Sequence, residues 1–265
     1  MTFGFIGTGN MGGALAKAAR RRLEGGQLLL ANRTEEKAAA LAKELGALLS
    51  NNRTIADNAD YIFLGVKPQM MKELLVEIGP TLAARENRFI LVSMAAGLSI
   101  SDIRSMAGGE YPVLRIMPNT PCSIGEGMVL YTRGPGVTEA EERFFLDAMS
   151  DAGRFAAIPE GLMDAASAVA GCGPAFVDIF IEALADGGVA CGLPRTQALV
   201  FAAQMVAGSA KLLQQSGQHP GVLKDAVCSP GGTTIQGVRR LEEAGFRGAV
   251  MDAVIAACEK SKALG

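Results

Sequence analysis

Phe3-Gly4-Phe5-Ile6-Gly7-Thr8-Gly9-Asn10-Met11-Gly12 is the stretch that decides how the first half of the chain reads. A short apolar run, Phe3 to Ile6, leads straight into G-x-G-x-x-G, and an alanine-rich amphipathic segment follows from Met11 to about Arg22. Glycines at this spacing say little alone. Closing a strand and opening a helix, they form a dinucleotide-binding turn. Gly7 allows the tight turn, Gly9 lets the backbone approach a pyrophosphate, Gly12 permits close helix–strand packing, and the helix N-terminus offers free N–H groups to the anion. Ile6, Thr8, Asn10 and Met11 belong to the same turn and complete its set of expected cofactor contacts.

The second expected strand, Leu28 to Ala31, ends at Asn32-Arg33-Thr34. It lies about 20 residues past the turn, where an NAD site often carries Asp or Glu for the ribose hydroxyls. No acid stands there. Arg33 can pair with a 2′-phosphate, supplemented by Asn32 and Thr34, so NADPH is favoured, with NADH as the alternative donor. Further strands are expected at Tyr61 to Val66, Phe89 to Ser93, Val113 to Met117, Met128 to Thr132 and Arg154 to Ile158. In a doubly wound sheet the carboxyl ends of the strands line the ligand crevice. Val66-Lys67-Pro68 and Met94-Ala95-Ala96-Gly97 are therefore expected to face the cofactor, Lys67 as a donor to ribose or nicotinamide oxygens and the small residues as room for a flat ring. A helix is expected between the cap Thr34 and the stop Gly46, and another where Pro68 can begin one.

Beyond Pro159 strand-like alternation gives way to long, alanine-rich helical segments: Glu160 to Val169, Pro174 to Ala190, Pro194 to Gln215, Pro220 to Val227, Gly231 to Ala244 and Phe246 to Ala263. The expected architecture is thus α/β: a Rossmann-type doubly wound, mostly parallel sheet over residues 1–159, followed by an all-helical domain over 160–265. Ala183, Gly187, Gly188 and Cys191 lie roughly a turn apart and suit close helix packing, within the domain or across a dimer interface.

With 265 residues, 49% of them apolar, the chain can bury a substantial core. A net charge of −2 gives no general attraction to nucleic acid or anionic lipid. The basic run Arg20-Arg21-Arg22 reads as the cationic end of a helix. Five scattered cysteines without C-x-x-C argue against a zinc site or disulfide framework, and fit reduced thiols in the cytoplasm. Charged residues, Gly or Pro interrupt each apolar stretch within about 18 residues, so neither a membrane span nor a signal peptide is expected.

For a substrate, the informative segment is Ser229-Pro230-Gly231-Gly232-Thr233-Thr234, just before a helical pattern. Flexible glycines, hydroxyls and free helix N–H groups can cradle a carboxylate without a positive side chain. The competing reading is an ordinary Ser-capped helix. Conventional acid–base groups are scarce. His219, the one histidine, sits at a helix start and reads as structural, and Asp178, Glu182 and Asp186 form a solvated helix stripe. No Ser/His/Asp set, paired carboxylates or metal cluster stands out. A readily protonated substrate such as an imine needs no dedicated acid.

Gly7 to Gly12, Val66-Lys67-Pro68, Ser93 to Gly97, Arg115-Ile116-Met117-Pro118-Asn119-Thr120-Pro121, Gly171-Cys172-Gly173-Pro174-Ala175-Phe176, and Ser229 to Thr234 continuing through Leu241-Glu242 and Gly245-Phe246-Arg247 together resemble the pyrroline-5-carboxylate reductase family over the whole chain. The resemblance implies NAD(P)H-dependent reduction of L-1-pyrroline-5-carboxylate to L-proline, the last step of proline biosynthesis. It also implies that Thr234 bonds the ring nitrogen, that backbone N–H groups near Gly232 and Thr233 hold the carboxylate, and that Asn52 and Lys67 belong to the cofactor site. It further implies an obligate homodimer built through the helical domain, with rings of dimers occurring in the family. Cys172 replaces a frequent serine, and Ser216-Gly217-Gln218 and Ala226 lack polar groups that some relatives offer. A β-hydroxyacid dehydrogenase would need a lysine base, for which Lys211 and Lys224 are the early candidates; an NADPH-binding sensor would not need the Gly231 to Thr234 loop.

Overall fold

A computed structural model describes residues 1–263. By internal contacts the chain divides into two compact units: Met1–Cys172 together with the chain from Ala257 on, and Gly173–Ala256. In the first unit the strands are β1 (Phe3–Ile6), β2 (Leu28–Ala31), β3 (Leu48–Leu49), β4 (Tyr61–Leu64), β5 (Ile90–Ser93), β6 (Val113–Met117), β7 (Gly127–Arg133) and β8 (Gly153–Ala157). They form one sheet in the order β3-β2-β1-β4-β5-β6-β7-β8, parallel except for the antiparallel pair β6/β7. Its helices are α1 (Asn10–Arg20), α2 (Glu35–Leu45), α3 (Asn52–Asn58), α4 (Met71–Ala84), α5 (Ile100–Ala107), α6 (Glu139–Ala148) and α7 (Met163–Ala170).

The central strands β1, β2, β4 and β5 are almost continuously apolar because both faces of the sheet are covered there. Phe3, Phe5, Leu28, Leu30, Tyr61, Phe63, Ile90 and Val92 enter one core; the alternate residues Leu29, Ala31, Ile62, Leu64 and Leu91 enter the other. The first core is aromatic at its centre, with Phe5 and Phe63 stacked at 4.2 Å and Phe3 against Tyr61 at 4.9 Å. β3 was not anticipated: at two exposed residues it is too short to leave a pattern. Three helices, α3, α5 and α6, lie outside those expected from the sequence, although two carry capping boxes, Ser99 with Asp102 on α5 and Thr138 with Glu141 on α6. The helix expected at Pro68 opens with a 3-10 turn, Pro68–Met70, ahead of α4.

The textural change at Pro159 precedes the division at Cys172 by α7, which packs on β7 within the first unit. A domain drawn as 160–265 therefore includes a helix that packs with the sheet, and its last two residues lie outside those described. The second unit holds α8 (Gly173–Ala190), α9 (Arg195–Ser216), α10 (Pro220–Ala226), α11 (Thr233–Glu243) and most of α12 (Phe246–Lys262). Helices α8 and α9 pack closely at Gly188, where an added Cβ would lie 3.3 Å from that of Ala198. Phe180 meets Phe246 at 5.8 Å, joining α8 to α12. Yet only Ala185, Ala198 and Ala202 are buried among the described residues of this unit, while Ile179, Val200, Phe201, Met205, Leu212 and Met251 are exposed.

The sequence leads to no expected membrane span, and one stretch reaches the length and apolarity of one. Within the helical run Glu160–Ala190 an 18-residue window reaches a mean hydropathy of 1.6, long and apolar enough to cross a membrane by length and composition alone. That run is not one helix: a 3-10 turn, α7 and α8 share it, and the turn at Gly171-Cys172 separates the last two.

Charged residues tie down the periphery of the first unit. Arg20 donates to the carbonyls of Leu45 and Leu23, and Arg22 pairs with Asp151, so the basic run is structural. Arg88 grips the Glu141 carboxylate, while Thr138 donates to it from the α6 cap. The Arg88 guanidinium and the Thr138 donors hold that carboxyl at about 2, below its ordinary value of 4.5. Its stabilisation is therefore present above pH 4.5 and is lost as pH falls toward 2. Glu141→Gln should lower stability at pH 7 by about 1–2 kcal/mol, allowing for solvent screening at exposed Arg88. In urea denaturation the gap between variant and wild type should shrink steadily between pH 5 and pH 3; a gap independent of pH contradicts this.

Candidate active site

The order of the sheet reverses at β1, with β2 on one side and β4 on the other, and ligands bind at such a switch point outside the carboxyl ends of the strands. The turn after β1 lies there. Gly7 has φ +101, and its Cβ would lie 2.5 Å from the Gly65 carbonyl oxygen, so the turns after β1 and β4 can touch only through glycine. A Cβ on Gly12 would lie 2.0 Å from the Gly7 oxygen, which is how α1 starts so close to its strand. At Gly9 a Cβ would meet nothing within 4 Å: that side of the turn is open.

Three features of this turn fit a bound diphosphate. Gly9 is the N-cap of α1 and no side chain satisfies the cap. The first turn of α1 carries no acid, leaving the positive end of the helix dipole uncompensated. The Thr8 hydroxyl is buried without a hydrogen-bond partner, and such a group ordinarily has one.

Around this turn the structure collects most of the cofactor contacts expected from sequence. Asn32 and Arg33 follow β2, Val66, Lys67 and Pro68 follow β4, and Ala95 and Ala96 follow β5, all at one edge because β2, β1, β4 and β5 run parallel. Asn32 is committed to the protein: its Oδ1 accepts from Thr8 N at 3.2 Å and its Nδ2 donates to the Thr34 carbonyl at 3.0 Å, so it braces the glycine turn. Arg33 is exposed, with Nη1 3.9 Å from Met70 Sδ. Lys67 is exposed, whereas the Ala95 side chain, only 2% exposed, belongs to the core beneath the loop. Asn52 opens α3 and donates to Glu77 at 2.9 Å.

The second constellation lies in the helical unit. Gly231 has φ +68, Gly232 donates to the Ser229 carbonyl at 3.0 Å, and α11 then starts at Thr233 with Gly232 as its N-cap. No side chain caps this helix either, and its first turn carries no acid. Ser229 therefore does not cap α11; its Oγ lies where a Cβ on Gly232 would stand, at 2.3 Å. Thr233 and Thr234 are exposed. His219 caps α10, its Nδ1 accepting from Gly221 N at 3.1 Å, and Lys224 pairs with Asp225 at 2.5 Å. Burial pushes the Cys122 thiol above its usual range, which marks it as a core residue.

Two residues quoted in the sequence motifs without a role have one here. Buried Asn119 accepts from Met128 N at 2.9 Å and donates to the Ala170 carbonyl at 2.9 Å, tying the turn after β6 to the end of α7. Arg115 on β6, also buried, pairs with Glu160 at 3.0 Å. No local pattern foretells a partner 45 residues away.

A doubly wound sheet with an uncapped glycine turn at its switch point defines the dinucleotide-binding oxidoreductase class. Within it, the family model described as pyrroline-5-carboxylate reductase dimerisation matches residues 160–264, and that described as NADP oxidoreductase, coenzyme F420-dependent, matches residues 2–97. The pyrroline-5-carboxylate reductase of Pisum sativum is 39% identical over 265 residues, 99% of this chain and 96% of that protein. That of Escherichia coli K12 is 41% identical over 264 residues, 98% of this chain and 97% of that protein. The crystal structure of the Plasmodium falciparum pyrroline carboxylate reductase with NADP bound superposes with a TM-score of 0.90 at 36% identity, covering 100% of this chain and 98% of that one. The chain belongs to the pyrroline-5-carboxylate reductase family.

The glycine geometry separates folding from binding. Gly9→Ala, whose methyl meets no protein atom, should leave Tm within about 2 °C of wild type yet weaken NADPH binding at least tenfold, read by calorimetry. Gly12→Ala should destabilise the protein by about 2 kcal/mol or more through its clash with Gly7. Equal effects of the two on stability would contradict the open side at Gly9.

Proposed function

We infer that this protein catalyses NAD(P)H-dependent reduction of L-1-pyrroline-5-carboxylate to L-proline. The observation that carries the reading is the pair of helix N-termini, of α1 and α11, each preceded by a glycine turn and left uncapped: one suits a diphosphate and the other a carboxylate. Full-length similarity to reductases of this name supports it. The Plasmodium relative is described with NADP bound, which supports the cofactor.

In this reading the N–H groups opening α1 and the Thr8 hydroxyl hold the diphosphate, and Arg33 pairs with a 2′-phosphate. Lys67 and Asn52 contribute at the ribose and nicotinamide, and Ala96 leaves room for the ring. When bound, the reduced cofactor supplies the hydride. The N–H groups that open α11 beside Gly232, from Thr233 on, hold the carboxylate, while the Thr234 hydroxyl bonds the ring nitrogen and orients the C=N carbon. The protonated imine is itself the electrophile, so positioning is what remains for the chain to provide. Ser229 packs against Gly232 and shapes the loop.

The same reading includes a homodimer, formed through the helical unit. A unit of 84 residues, Gly173–Ala256, with three buried apolar side chains lacks a core of its own, and a second copy covering its exposed face would supply one. The apolar run Glu160–Ala190 then faces protein rather than lipid. A cytoplasmic setting is proposed from the five free cysteines.

Purified protein should oxidise NADPH when the imine is added and form proline; activity on a hydroxy acid with none on the imine overturns the assignment. Thr234→Ala should lower kcat about 10–100-fold while the NADPH Kd stays within about twofold. Arg33→Ala should raise the NADPH KM about tenfold or more and leave that for NADH unchanged; an unaltered preference removes Arg33 from the 2′-phosphate. Phe201→Glu, at a residue 56% exposed in the single chain, should dissociate the dimer in sedimentation, and wild-type behaviour there contradicts this interface.

A further inference from the structure

Arg115 stands on β6 among Val113, Leu114 and Ile116, all of them buried and apolar. Its side chain is 6% exposed and its Nε has no hydrogen-bond partner, so this charge is incompletely compensated. Its Nη1 meets Glu160 Oε1 at 3.0 Å, and the same oxygen accepts from the backbone N–H of Ile100 at 2.7 Å. Ile100 is the first residue of α5, and the loop that leaves β5 toward it, residues 94–99, lies on the edge of the sheet that carries the glycine turn.

α5 has a complete capping box, and the Glu160 bond satisfies a donor that the box leaves open, the Ile100 amide. In the box Ser99 accepts from Asp102 N at 3.1 Å, and Asp102 accepts from Ser99 N at 2.8 Å. A bond from 60 residues away also fixes where the helix begins and, through it, where the preceding loop ends. Stability does not account for the ion pair: the Glu160 side chain is 32% exposed, which weakens the pair, and apolar residues in place of both partners are often neutral or stabilising.

We propose that Arg115 and Glu160 are a positioning pair that holds the loop 94–99 at the cofactor-binding edge through the Ile100 amide, and so sets the geometry of hydride transfer. Arg115 aims the Glu160 carboxylate, and the carboxylate holds the amide. The pair itself touches neither cofactor nor substrate. This rests on the reductase reading above, and wild-type turnover of the imine tests that reading separately.

The decisive comparison is the double variant Arg115→Leu/Glu160→Met, which removes the pair without stranding a charge, alongside Glu160→Gln, which keeps an oxygen acceptor for Ile100. The double variant should keep its Tm within about 3 °C of wild type, with the Ile100 amide exchanging at least tenfold faster in hydrogen-exchange NMR. Its kcat should fall about tenfold, with the cofactor KM within about threefold and an increased primary isotope effect from C4-deuterated NADPH, because a misplaced loop slows chemistry rather than binding. Glu160→Gln should retain most of the Ile100 protection and most of kcat. The proposal is overturned by a double variant that does not fold, which would make the pair structural, by unchanged exchange at Ile100, or by wild-type kcat and isotope effect despite faster exchange. Glu160→Gln as impaired as the double variant would also overturn it.

Discussion

A methyl group on Gly12 would lie 2.0 Å from the Gly7 carbonyl oxygen, and this near-contact governs the first unit. It brings α1 close against the end of β1, so the helix begins at the switch point with its N–H groups uncapped. Gly7 meets Gly65 in the same way, which joins the turns of two neighbouring strands into one edge. Asn32 then braces the turn from β2 by accepting from Thr8 N. The turn is thus built in advance from backbone contacts, and an anion arriving there meets donors that need no rearrangement.

The second unit repeats this device with different materials. Gly231 in the left-handed region and Gly232 as N-cap deliver an open start to α11, and the side chains beside it are hydroxyls rather than cations. Neutral donors at a helix terminus suit a small carboxylate without placing a charge beside an iminium, whose own positive charge a lysine or arginine would oppose. The scarcity of histidine and of paired acids fits a substrate that carries its own electrophile.

Much of this was legible in the chain because it is written in local patterns. The apolar runs of β1, β2, β4, β5 and β6 and the Gly46 stop of α2 are short-range signals, and the structure has them where the sequence put them. What escaped has identifiable causes. The strand Leu48–Leu49 has no period to detect, and the chief local marks of α5 and α6 are their capping boxes, Ser99–Asp102 and Thr138–Glu141. Asn32 was expected to serve a phosphate, yet both of its amide groups bond backbone, a fact that depends on strands meeting in space. Arg115 with Glu160, and Asn119 with Ala170, are invisible along the sequence because their partners are 45 and 51 residues away. Exposed apolar residues on α8, α9 and α12 look like core residues in the sequence, and only the fold shows that the single chain leaves them uncovered.

The central claim is that the protein passes a hydride from a reduced nicotinamide to the C=N carbon of a cyclic imino acid. Running the reaction with NADPH carrying deuterium at both C4 positions and locating the label in the product by NMR tests it most directly. The account predicts proline with one deuterium on the ring carbon beside nitrogen that does not bear the carboxylate. Proline without the label, or label at any other carbon, would contradict it.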